Sequence, residues 1–131
     1  MDVRMDLAQI VISETRDPQI IVLRERNGSR CLKIVIGLSE VLAIDRRIKQ
    51  VQLARPMTHD LLGNVIEALS GQLEKIVIND LQDHTFFAKL VIRRNGELID
   101  VDSRPSDAIA LGVGVDAPIY VADHVLREAA D

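Results

Sequence analysis

The chain has 131 residues, a size at which a single domain buries about two-thirds of the surface its unfolded form exposes, so a core is attainable without disulfides. Apolar residues make up 47% and charged residues 27%, which are globular values, but two Phe, one Tyr and no Trp require that core to be aliphatic. The net charge of −4 weighs against a sequence-independent nucleic-acid binder, though not against a local basic patch, and the single Cys31 excludes an internal disulfide or a Cys-cluster zinc site.

The start, Met1 to Asp6, carries charges where a signal peptide needs an apolar segment, and no apolar run approaches the ~20 residues that span a bilayer. A soluble, cytoplasmic protein with no membrane partner is therefore expected. From there β-branched runs predict strands at Val3 to Ile12, Ile20 to Arg24 and Leu32 to Ile36. Asn27-Gly28 lies between the second and third, and both residues tolerate positive φ, so a two-residue hairpin is predicted there. Val41, Ile44, Ile48 and Val51 have helical spacing and enclose the basic cluster Arg46-Arg47-Ile48-Lys49. Leu61, Leu62, Val65, Ile66 and Leu69 predict a second helix, ended by Gly71.

Strands are then expected at Lys75 to Ile78, Phe86 to Ile92 and Leu98 to Val101, the last two joined across Asn95-Gly96 beside a second basic cluster, Arg93-Arg94. Ala108, Ile109 and Leu111 predict a short helix stopped by Gly112 and Gly114. A strand at Ile119 to Val121 and a helix from Asp123 complete the chain.

A duplication links the halves. Val22 to Gly28 recurs as Leu90 to Gly96, and Ser39-Glu40-Val41 recurs as Ser106-Asp107-Ala108, so strand, Asn-Gly turn, strand and helix appear at about 20–48 and again at about 86–113. The fold class expected is α+β, one compact domain spanning 1–131, with a mixed or barrel-like sheet flanked by helices.

Chemistry gathers at two helix starts. Arg55-Pro56-Met57-Thr58-His59-Asp60 and Arg104-Pro105-Ser106-Asp107 each combine Arg-Pro, a hydroxyl and an acid. One reading is capping: Thr58 or Ser106 accepts from an unpaired helix N–H, and the acid faces the positive end of the helix. The other is anion binding, with Arg55, Thr58, Arg104 and Ser106 holding phosphate. Asp100 and Asp102, two apart on a strand, point to one face and, with Asp107, could hold a divalent cation. His59 could act as general acid or base. His84, His124 and Cys31 have no ligand or nucleophile spacing and read as structural.

Four motifs, Arg55-Pro56-Met57-Thr58-His59-Asp60-Leu61, Asp83-His84-Thr85-Phe86-Phe87-Ala88-Lys89-Leu90, Asp102-Ser103-Arg104-Pro105-Ser106-Asp107-Ala108-Ile109-Ala110-Leu111 and Ala117-Pro118-Ile119-Tyr120-Val121, closely resemble the bifunctional nuclease domain family in order and content. The resemblance implies a compact α+β domain, self-association as a dimer or higher oligomer, and DNase or RNase activity. Gly112-Val113-Gly114 stands where the family continues Ala-Leu-Arg, so one expected basic residue is missing. The function expected is metal-assisted (Mg²⁺ or Mn²⁺) cleavage of DNA or RNA, with His59 and Asp107 catalytic; the alternative is a non-catalytic oligomeric or regulatory module.

Overall fold

The computed structural model describes residues 1–13, 15 and 18–131. Among the described residues seven strands form one sheet: β1 (Asp2–Val11), β2 (Gln19–Glu25), β3 (Cys31–Ile36), β4 (Gly71–Gln82), β5 (Thr85–Arg94), β6 (Glu97–Ser103) and β7 (Ile119–Ala122). Four helices, α1 (Leu38–Ile48), α2 (Thr58–Ala68), α3 (Pro105–Val113) and α4 (Asp123–Ala129), complete the domain. The spatial order is β3-β2-β1-β7-β4-β5-β6. Every pairing is antiparallel except β4 with β7, so the sheet is mixed, and β3 and β6 remain as open edges rather than closing into a barrel.

That order is symmetric about β7. β1-β2-β3-α1 and β4-β5-β6-α3 are each an antiparallel three-strand meander followed by a helix, so the repeat includes one strand more than the sequence pattern suggested. Alternation along the strands turns Leu23, Ile21, Leu32, Ile34, Ile76, Ile78, Ala88, Leu90, Ile119 and Val121 into one buried cluster that α1 and α3 join through Val41, Ile44, Ile109 and Leu111. No aromatic side chain of the described residues is fully buried, so the core is aliphatic. Each Leu or Ile taken from water in this way stabilises the fold by roughly 2 kcal/mol.

The two Asn-Gly turns differ. Asn95 and Gly96, with φ of 51° and 79°, form the expected two-residue hairpin between β5 and β6. Asn27-Gly28 does not: β2 and β3 are joined by the five residues Arg26 to Arg30, because Glu25 closes a wider loop. Its carboxylate accepts from the Arg30 backbone N–H at 3.0 Å and pairs with the Arg30 guanidinium at 2.7 Å. A Cβ at Gly28 would lie 2.8 Å from the Glu25 carboxylate, so a larger residue there would displace that side chain from Arg30. Helix boundaries also shift. Val51 lies beyond α1, and Gly71 opens β4 instead of ending α2, with Ser70 taking the left-handed conformation at φ 63°. Gly112 lies inside α3.

No helix of the described residues is long and apolar enough to cross a membrane.

Candidate active site

Three helices begin at one cleft. Ser39 and Glu40 of α1, Thr58 and His59 of α2, and Arg104 and Asp107 at the start of α3 line a cavity of about 460 Å³, with Ala43, Arg46 and Met57 completing it. Each helix start presents unpaired backbone N–H groups, so their convergence favours an anion.

Local sequence sets each start. Arg104, with ψ 147°, is the residue before Pro105, whose fixed φ suits the first helical position. Ser106 and Thr58 therefore lie inside their helices and make no cap bond, contrary to the capping expectation. At α2 the cap comes from Asp60, whose Oδ2 accepts from the Met57 N–H at 3.0 Å. Asp107 and Glu40 stand at the equivalent third positions of α3 and α1.

The central contact joins α2 to α3. His59 Nε2 lies 3.0 Å from Asp107 Oδ1, and Arg104 Nε donates to Asp107 Oδ2 at 3.0 Å. Arg104 also reaches Glu40 Oε2 at 3.5 Å, which ties in α1. Burial raises the Asp107 carboxyl, but the hydrogen bonds and charges of His59 and Arg104 outweigh it and hold the group below the ordinary carboxylate range. A carboxylate at Nε2 fixes the proton of neutral His59 there, which leaves Nδ1 with the lone pair. His59 is mostly buried and Arg104 mostly exposed, so a confined base sits beside an open cation.

Beneath the site, Arg47 is the least exposed guanidinium in an ion pair. Its Nε donates to Ala110 O at 2.6 Å, Nη2 donates to Leu111 O at 3.2 Å, and Nη1 pairs closely with Asp60. The Asp60 carboxyl is held below its usual range by the Met57 N–H first, then by Arg47, against the opposing effect of burial. One side chain thus joins the end of α1, the start of α2 and the end of α3. Gly114 makes this possible: a Cβ there would lie 1.9 Å from Arg47 Nη2. The space that an Arg at 114 would need is filled by the guanidinium of Arg47.

Not every expected residue joins the cleft. Arg55 is exposed on the loop before α2 and lines the neighbouring cleft. Ser106 is buried and faces a different hollow, between β3 and the β4–β5 turn. Asp100 is held by Lys89 Nζ at 3.0 Å on the β5–β6 surface, and Asp102 is exposed on the same edge strand. Among the described residues no three His, Cys, Asp or Glu side chains come together as a metal-ligand group, and Asp107 is already engaged by His59 and Arg104. Asp100, Asp102 and Asp107 therefore do not fit a single cation site. Arg104 pairs with neither Asp100 nor Asp102.

Glu40, Arg46 and Arg47 were absent from the expected site. Ser39 and Arg46, and Glu40 and Arg47, are each seven apart on adjoining faces of one helix, and that spacing was the available signal.

The bifunctional nuclease domain model matches residues 21–131, which include all three helix starts. Mycobacterium tuberculosis (strain H37Rv) has a relative, Uncharacterized protein Rv1829, 42% identical over 120 residues, covering 92% of this chain and 71% of that protein. Bifunctional nuclease 2 of Oryza sativa subsp. japonica is 32% identical over 115 residues, or 84% of this chain, yet the match spans only 35% of the plant protein. Bifunctional nuclease 1 of Arabidopsis thaliana is 28% identical over 106 residues, 77% of this chain and 32% of its own length. From the span that the domain model matches, the chain belongs to the bifunctional nuclease domain family.

Proposed function

We propose that this domain cleaves phosphodiester bonds in DNA or RNA by general acid–base chemistry in the cleft at the three helix starts. The observation that carries the reading is the 3.0 Å contact between His59 and Asp107 beside the exposed Arg104. Arg104 and the helix N–H groups hold the diester and take up the charge that develops on its oxygens. His59 Nδ1 accepts the proton of the attacking hydroxyl, from water or from a ribose 2′-OH. As the new P–O bond forms and the bond to the leaving oxygen breaks, the imidazolium returns that proton to the leaving oxygen. Asp107 keeps the ring oriented and stabilises its charged form. No step is routed through a cation.

Purified protein assayed on RNA and single-stranded DNA, in EDTA and with Mg²⁺ or Mn²⁺, tests the reading. Activity that disappears in both His59→Ala and Asp107→Asn supports it. Activity that survives both substitutions overturns it, and an absolute need for Mg²⁺ or Mn²⁺ overturns its cation-free form.

A second observation favours self-association. α2 has no buried residue, and Leu61, Val65 and Leu69 form an exposed stripe along it. α2 packs on α3 and β4 but keeps this apolar stripe in water, so it gains from a covered face. We propose that a second copy of the chain supplies the cover. A mass measured by light scattering should fall to that of a monomer when Leu61, Val65 and Leu69 are all changed to Ser, and a wild type already monomeric at high concentration overturns the assignment.

A further inference from the structure

Arg46 belongs to two clefts. On one side is the candidate active site; on the other is a second cavity, also about 460 Å³, lined by Arg46, Arg47, Arg55, Gln52, Asn64 and Asp60 among others. Arg47 is neutralised there by Asp60. Arg46 and Arg55 make no hydrogen bond or ion pair within the described residues, although Arg46 acts on Asp60 through its field. Three guanidiniums therefore face a single carboxylate, a local cationic excess in an acidic chain. The other basic cluster differs: Arg93 is taken by Glu74 at 3.0 Å, and Arg94 donates to Leu69 O at the end of α2.

We propose that the second cleft is a phosphate subsite that holds the backbone of a single-stranded nucleic acid next to the diester at His59, with Arg46 shared between successive phosphates and Arg55 on the farther one. The inference rests on the nuclease reading above and adds the direction in which the strand leaves the site. No aromatic side chain lines either cleft, so stacking on bases contributes nothing, and recognition falls to the phosphates and is tolerant of sequence. Each cleft, at about 460 Å³, is of a size to seat one nucleotide unit.

The test uses the full chain with His59→Ala, which prevents cutting, and fluorescein-labelled oligothymidylates of two and eight nucleotides, with binding read by anisotropy across a salt series. Affinity should rise at least tenfold from the dinucleotide to the octanucleotide. The slope of log affinity against log salt for the octanucleotide should become shallower by about 0.7 for each phosphate deprived of its guanidinium, in Arg55→Gln and again in Arg46→Gln. Arg55 is exposed, so its substitution removes a charge without opening the core. Equal affinity for the two lengths, or slopes unchanged by both substitutions, overturns the subsite while leaving the nuclease reading standing. Binding of neither length overturns both. Tighter binding of an eight-base-pair duplex overturns the single-strand assignment.

Discussion

The two halves of the molecule begin their helices alike and use them differently. Gly37-Leu38-Ser39-Glu40 opens α1 and Arg104-Pro105-Ser106-Asp107 opens α3, each with an acid at the third helical position after a meander. Around α1 that acid folds back over Gly37, where a Cβ would lie 2.6 Å from Glu40 Oε1, and steadies Arg104. Around α3 the acid holds His59, because α2, the segment between the halves, packs against α3. Duplication thus supplies two equivalent frames, and an element outside the repeat makes one of them reactive.

The largest expected effect separates the acids. Asp107→Asn should lower turnover on RNA by about 10² to 10⁴-fold, the usual scale of a general acid–base pair, while Glu40→Gln changes it by less than about tenfold. Equal reductions in steady-state assays would show that the two frames contribute alike and would remove the comparison.

Next come the glycines at opposite ends of this frame. Gly114→Ala must displace a guanidinium tied by Ala110, Leu111 and Asp60, and should cost about 2 kcal/mol in urea unfolding. Gly37→Ala meets only the flexible end of Glu40, held by one long contact to the exposed Arg104, and should cost well under about 1 kcal/mol. Arg47→Met should restore tolerance of Ala at 114, since additivity fails for groups that touch. A double variant no more stable than the sum of the single changes would argue against the contact.

The smallest effect is in pH dependence. Asp60 and Asp107 have folded-state carboxyls below the ordinary value, so the unfolded chain binds protons more readily and stability rises with pH. Their contribution is present above the unfolded value near 3.8 and is lost as pH falls through the folded values. Denaturation followed between about pH 5 and 2 should show a shallower acid limb in an Asp60→Asn, Asp107→Asn double variant. An unchanged acid limb would mean that these ion pairs contribute little in solution.

Much of this architecture was legible in residue order. β-branched runs located all seven strands, helical spacing located the first three helices, and Asn95-Gly96 gave its turn, because each signal is local. Asn27-Gly28 misled because a side chain, Glu25, competed with the turn's backbone preference. His59, Asp107 and Arg104 were recognised as site residues but not as one hydrogen-bonded group, since 48 positions separate His59 from Asp107. Asp100 and Asp102 do share a strand, yet β5 supplies Lys89 to Asp100, a neighbour that spacing within β6 could not reveal.

Composition and pattern alone determined an aliphatic α+β domain, its duplication and its family, because these depend on period, turn residues and motif identity. Only the tertiary structure decided which polar groups work together. Packing three helices over one sheet brought the separate starts of α1, α2 and α3 to one cleft, paired Asp107 with His59, and left Arg46 and Arg55 without carboxylate partners among the described residues where Arg93 had found one. Charge pairing acts over a few ångströms and is set by which surfaces meet, so it could not be read from the order of residues.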